Sequence, residues 1–155
     1  MTDAVNTLTR NTTARQARPE ARRGGRDPLI MIVDDYVDCR EMYAAYLSLS
    51  GFQVLKARDG HEALRLARQA LPDLILMDLG LPGMDGCEVT RQLKQDNATR
   101  DVPVVALTAQ APLPADVLDA AGFETVITKP CLPDELAEHV HRLVQRERAP
   151  IRRVS

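Results

Sequence analysis

Five times between Leu29 and Val144 the chain repeats one pattern: a short apolar run, a turn, then a stretch with helical spacing. The runs are "LIMIV" (29–33), "FQVLKA" (52–57), "LILM" (74–77), "VPVVALT" (102–108) and "TVIT" (125–128). The first and third have no polar alternation, so as strands they must be covered on both faces, the condition of a parallel sheet in an α/β fold. Right-handed crossovers leave few other solutions for such an alternation. The expectation is a doubly wound, five-stranded parallel sheet with five helices in a single domain. In such sheets the ligand crevice opens outside the carboxyl ends of the strands.

The helical stretches carry their own punctuation. "DDYVDCREMYAAYLSLS" puts Cys39, Met42, Tyr43 and Tyr46 on one helical face, and Gly51 ends it. Asp59 stands three residues before Glu62, and Asp85 three before Glu88, each a capping arrangement that opens a helix. The first of these helices turns Ala63, Leu64 and Ala67 inward, the second Val89 and Leu93. A short helix from about Ala115 to Ala120 stops at Gly122, and a last one has Pro133 in its first turn and Leu136, Val140, Leu143 and Val144 as its apolar stripe.

Composition narrows the class. A length of 155 residues with 45% apolar content supplies one domain with a core and no room for a second. The three cysteines, Cys39, Cys87 and Cys131, form no CxxC pair, which argues for a reducing compartment and against a zinc site or a disulfide frame. No apolar run reaches the ~18 residues of a membrane span and the N-terminus lacks the apolar core of a secretory signal, so a cytoplasmic protein is expected. Residues 1–27 hold six Arg against Asp3, Glu20 and Asp27, a charge of +3, which leaves −5 on the rest of a chain whose net charge is −2. With no apolar periodicity to offset its ordering entropy, this segment is expected to be a disordered tail. Its composition also suits a nucleic-acid arm or a transit peptide, but six scattered Arg without interleaved aromatics argue only weakly for nucleic-acid binding. Residues 149–155, "APIRRVS", read as a short basic tail, so the domain is placed at 28–148.

Polar groups collect at the ends of the apolar runs. Asp34 and Asp35 follow the first, Asp78 the third, Thr108 closes the fourth and Lys129 follows the fifth. Three carboxylates converging on one crevice repel each other unless a cation relieves them, and a few hard oxygen ligands with room for water suit Mg²⁺ better than zinc or a calcium cage. The Lys129 ammonium and Thr108 hydroxyl match the oxygens of a tetrahedral phosphoryl group. A carboxylate with metal on one flank and a cation and donor on the other is equipped to accept such a group.

The order "VDD", "MDLGLPGMDG", "LTA", "TKP" resembles the receiver domain of two-component response regulators, from about Pro28 to Glu147. The resemblance implies the flavodoxin-like strand order. It also implies roles: Asp78 as phosphoacceptor; Asp35, with Asp34 helping directly or through water, holding Mg²⁺ together with Asp78 and the backbone carbonyl of Gly80. Thr108 would donate to the aspartyl phosphate and move towards it, and Lys129 would form a salt bridge to it, from a peptide to Pro130 that is cis in the family. The implied donor is a phosphohistidine on a sensor histidine kinase or a histidine phosphotransfer protein. Gly80 and Gln110 would tune dephosphorylation, and the fourth helix, fifth strand and fifth helix would form the signalling face.

Three departures stand out. Val126 replaces an aromatic residue common in the family; valine is small and stiff, so the usual aromatic swing is not expected. The connection after Thr108 contains Pro112 and Pro114 and is about one residue shorter than the family pattern, an ordinary loop variation. Cys131 stands where Phe is common, and the sequence offers no account of it.

Plainer readings exist for single residues. Asp34 and Asp35 could cap the first helix, Lys129 could be a surface charge and Thr108 a simple strand residue, and Asp38 and Asp85 are expected to serve caps. His139 and His141, two apart on a helix, face different ways, and His61 lies in a first helical turn, so structural roles are expected for all three. A haloacid-dehalogenase-type phosphatase also uses a strand-end Asp with Mg²⁺, but the general acid it needs two residues on is here Gly80. A phosphate-independent receiver-like scaffold is opposed by the intact Asp35, Asp78, Thr108 and Lys129. The reading is a single-domain receiver, monomer or weak dimer, without an attached output domain. It would modify only itself and act through another protein, with no membrane partner and none of nucleic acid.

Overall fold

The computed structural model describes residues 26–109 and 113–148. Residues 1–25 of the tail read into 1–27, the tail read into 149–155, and the residues Gln110 and Pro112 lie outside the described residues. Five strands, β1 (Leu29–Val33), β2 (Gln53–Ala57), β3 (Leu74–Met77), β4 (Val104–Thr108) and β5 (Thr125–Thr128), alternate with five helices. These are α1 (Val37–Leu49), α2 (Gly60–Ala70), α3 (Gly86–Gln95), α4 (Ala115–Ala121) and α5 (Pro133–Arg148). The strands form one sheet in the order β2-β1-β3-β4-β5, with every neighbouring pair parallel. This is the flavodoxin-like, doubly wound architecture anticipated from the sequence.

Alternation along the central strands splits the core in two. Ile30, Ile32, Leu74 and Leu76 face α1 and α5, packing with Tyr43, Leu47, Leu136 and Val140. Met31, Val33, Ile75 and Met77 face the opposite way, onto Ala63 and Ala67 of α2 and Val89 and Leu93 of α3. All four residues of β3 are fully buried, which is why its sequence shows no polar face.

Asp59 and Asp85 cap α2 and α3 as expected, each carboxylate accepting the amide of the Glu three residues on, at 2.8 and 2.9 Å. The return leg of a capping box is absent in both: Glu62 accepts instead from the Arg58 amide, and Glu88 from Arg91 and Gln92. α1 departs from the sequence reading. Its inner face is Tyr43, Ala44 and Leu47, while Met42 and Tyr46 are 46% and 38% exposed. Apolar residues cover most of the circumference of the helix, with Met42 and Tyr46 beside Tyr43, so spacing alone did not select a face. Nor do Asp34 and Asp35 cap it; the N-cap is Tyr36, without a side-chain bond.

At the opposite edge of the sheet the packing reaches slightly further back than residue 28. Asp27 is 5% exposed, and Arg26 approaches Asp73 at 3.7 Å, whose carboxylate also accepts the Leu29 amide at 2.7 Å.

Candidate functional site

The strand register brings the polar residues level. Val33 lies opposite Ala57 and Met77, and Thr108 opposite Thr128, so β1, β3, β4 and β5 end at one edge. The backbone bonds run one residue further: Asp34 N to Ala57 O at 3.1 Å, Asp78 N to Val33 O at 3.0 Å and Lys129 N to Thr108 O at 2.9 Å. Asp34, Asp78 and Lys129 thus leave the sheet from anchored backbone, with Thr108 as the last residue of β4. The Lys129-Pro130 peptide is cis.

Carboxylate oxygens of Asp34, Asp35 and Asp78 come within 4.8 Å of one another. Lys129 Nζ reaches Asp34 Oδ2 at 2.6 Å and Asp78 Oδ2 at 3.6 Å. Asp34, 1% exposed, spends its other oxygen on the Tyr36 amide at 2.9 Å. Asp78 Oδ1 accepts the Gly80 amide at 3.0 Å, and among the described residues its Oδ2 has only the longer approach of Lys129. Asp35 is exposed at the rim and Thr108 buried. Burial works against the Lys129 charge, but the hydrogen bond and charge of Asp34, with Asp78 behind them, outweigh it and raise its pKa above the ordinary 10.5.

Three carboxylates and one ammonium leave this edge with an excess of negative charge on hard oxygens. That donor set fits a divalent cation of the Mg²⁺ class, since nitrogen and sulfur ligands are absent from the cluster. The Asp78 carboxylate has both the other acids and the Lys129 ammonium as neighbours, so a group bearing several anionic oxygens could be held between metal and lysine.

Three residues that the sequence reading did not place at the site help to build it. Arg40 Nη1 donates to the Asp34 carbonyl at 2.8 Å, and Tyr43 Oη to the Cys131 carbonyl at 2.9 Å. Neither bond has a sequence signal, because both acceptors are backbone. Gly86 meets the Asp78–Leu79 peptide so closely that a Cβ would strike the Asp78 carbonyl oxygen. A glycine in the first turn of a helix, where better formers are usual, is a hint that was available. The histidines stay outside, with His139 beside Arg142 and His141 in tilted contact with the Phe52 ring.

The family description "Response regulator receiver domain" matches residues 30–141. The chain belongs to this family. It is 42% identical over 103 residues to the polar-differentiation response regulator DivK of Brucella anthropi, covering 65% of this chain and 83% of DivK. It is 37% identical over 118 residues to the phosphate regulon transcriptional regulatory protein PhoB of Pseudomonas aeruginosa, covering 76% of this chain. The chain spans about half of PhoB, 52% of its length. Among solved structures, a putative response regulator from Chloroflexus aurantiacus superposes with a TM-score of 0.71 at 33% identity, over 77% of this chain and 98% of its own. Chemotaxis protein CheY4 of Vibrio cholerae gives 0.70 at 29%, over 74% and 97%.

As a receiver domain the chain is part of a two-component signalling protein, a class that binds Mg²⁺ at an acidic pocket and meets histidine kinases or phosphotransfer proteins. Among the described residues no helix is long and apolar enough to cross a membrane. In this receiver the half-buried Val126 lines a cavity of about 540 Å³ beside β5 and α5, together with Cys131, His139 and Arg142.

Proposed function

We propose that this receiver takes a phosphoryl group from a phosphohistidine onto Asp78, and that the resulting charge switches its contacts with another protein. The observation that carries the choice of Asp78 is the inequality of the three acids. Both oxygens of Asp34 are engaged at short distance and the group is buried, and Asp35 sits outside at the rim. Asp78 Oδ2 has no partner closer than 3.6 Å among the described contacts, and its backbone is fixed by Val33 and by the packing of Gly86.

In the transfer, an Asp78 carboxylate oxygen attacks phosphorus, an O–P bond forms, and the P–N bond breaks with its electron pair passing to the donor imidazole. Asp34, Asp35 and Asp78, with the Gly80 carbonyl, would hold Mg²⁺, which when bound supplies charge neutralisation for phosphoryl oxygens. Lys129 turns from Asp34 towards the new anionic oxygens, and the Thr108 hydroxyl donates to one of them. Later attack of water on phosphorus returns the carboxylate and releases phosphate. Apart from this self-modification no catalysis is proposed. Gly80 would flank the path of that water.

The phosphoryl group adds negative charge and three acceptor oxygens at the sheet edge. That bias acts on a two-state arrangement of the face formed by α4, β5 and α5. Val126 cannot make the swing of an aromatic side chain there, so movement of Thr108 and Lys129 would carry the change. The partners proposed are a sensor histidine kinase or histidine phosphotransfer protein upstream and a protein downstream, in the cytoplasm, with the receiver monomeric or weakly dimeric.

The test is intact mass after incubation with acetyl phosphate. A gain of one phosphoryl group with Mg²⁺, removed by hydroxylamine and absent from Asp78→Ala, is the expected result. Equal labelling of Asp78→Ala would overturn the assignment.

A further inference from the structure

Lys129 leaves the sheet at its last recorded rung, the bond to the Thr108 carbonyl. The segment that follows opens with Pro130 and runs into α5 at Pro133, neither of which has an amide to donate. Its carbonyl at Cys131 is held by a buried bond from Tyr43 Oη at 2.9 Å, across 88 positions of sequence. Tyr43 is 3% exposed and its ring belongs to the same core cluster as Cys131, Leu136 and Ala137. Burial raises the pKa of the phenol, so it stays a protonated donor across the physiological range. One turn earlier, Arg40 on the same helix donates to the carbonyl of Asp34, the residue that pairs with Lys129. α1 therefore grips the backbone on both sides of the Lys129–Asp34 pair.

A lysine side chain is long and rotamer-rich, so where its ammonium rests depends on where its backbone is fixed. We propose that Tyr43 is a positioning residue for phosphoryl transfer: through the Cys131 carbonyl its hydroxyl sets the backbone from which Lys129 reaches the Asp78 carboxylate. The consequence for transfer rests on the roles given above to Asp78 and Lys129; the positioning of Lys129 does not. Buried, small Cys131 is then the residue whose main chain receives the hydroxyl, a function that its side chain could not reveal in the sequence.

Tyr43→Phe keeps the ring and removes only the hydroxyl, and its fold is checked by far-ultraviolet circular dichroism. In the full chain, Lys129 is compared with Lys56 for acetylation by an N-hydroxysuccinimide ester, because their side chains are 12% and 44% exposed. Loss of one buried neutral hydrogen bond predicts that Tyr43→Phe raises Lys129 labelling relative to Lys56 by about fivefold. The initial rate of Mg²⁺-dependent phosphoryl uptake from phosphoramidate falls by about the same factor, and in a Lys129→Met background Tyr43→Phe leaves the rate unchanged. Unchanged Lys129 labelling, or an equal slowing in both backgrounds, would overturn the proposal. Raised Lys129 labelling in a protein that takes no phosphoryl group at all would instead remove Asp78 as acceptor while supporting the positioning.

Discussion

The two layers of helices on this sheet are held by different means. On one side, α2 and α3 begin at Asp caps that make local hydrogen bonds of 2.8 and 2.9 Å, and α2 and α3 press onto β1 and β3 through Ala63, Ala67, Val89 and Leu93. On the other side, α1 has no side-chain cap and is bound instead by Arg40, reaching six residues back to the Asp34 carbonyl, and by Tyr43, reaching across 88 positions to the Cys131 carbonyl. Local caps build the frame; the bonds of Arg40 and Tyr43 to backbone carbonyls tie α1 to the chemistry. The α2 cap can be lost with function kept, whereas a lost contact on the α1 side should register at the site.

The largest effect is expected where that tie ends. Lys129→Met leaves the buried Asp34 carboxylate facing Asp35 and Asp78 without its cation, and should cost about 3 kcal/mol in urea unfolding without Mg²⁺. Because the pair raises the Lys129 pKa above 10.5, its stabilisation is complete below that pH and fades as pH climbs through the folded value. The stability difference between wild type and Lys129→Met should accordingly hold level from about pH 7 to 10 and shrink above it. Equal stability of the two proteins at neutral pH would remove the pair from the account.

A paired test comes next. Asp59→Ala on the frame side and Arg40→Met on the site side should each cost about 1 kcal/mol, as a cap and a charge-assisted bond do. Only Arg40→Met should slow phosphoryl uptake, measured by intact mass over time. If Asp59→Ala slowed uptake as much, the division between the two layers would be wrong. The smallest effect lies far from the site, at Leu71, a half-exposed residue that ends α2 in the left-handed region at φ 47°. Leu71→Asn should gain up to about 1 kcal/mol by relieving strain, with uptake unchanged; a lower melting temperature would contradict it.

What was legible in the sequence follows the same division. Buried strands announce themselves as runs such as Leu74 to Met77, and the Asp caps of α2 and α3 are three-residue signals, so sheet, element order and strand-end acids could all be read. The inner face of α1 could not, because Met42 and Tyr46 are as apolar as the Tyr43 and Leu47 that are actually buried. Bonds whose acceptors are carbonyls, at Asp34 and Cys131, leave no trace in side-chain identity. The closeness of Gly86 to Asp78 is likewise a matter of helix docking, which spacing does not report.

The central claim is that one of three neighbouring acids is the acceptor, and chemical trapping addresses it most directly. The protein is phosphorylated with phosphoramidate and Mg²⁺, reduced with sodium borodeuteride, digested and sequenced by mass spectrometry. The account predicts deuterated homoserine at position 78 alone. Label at position 34 or 35, with position 78 unmodified, would contradict it.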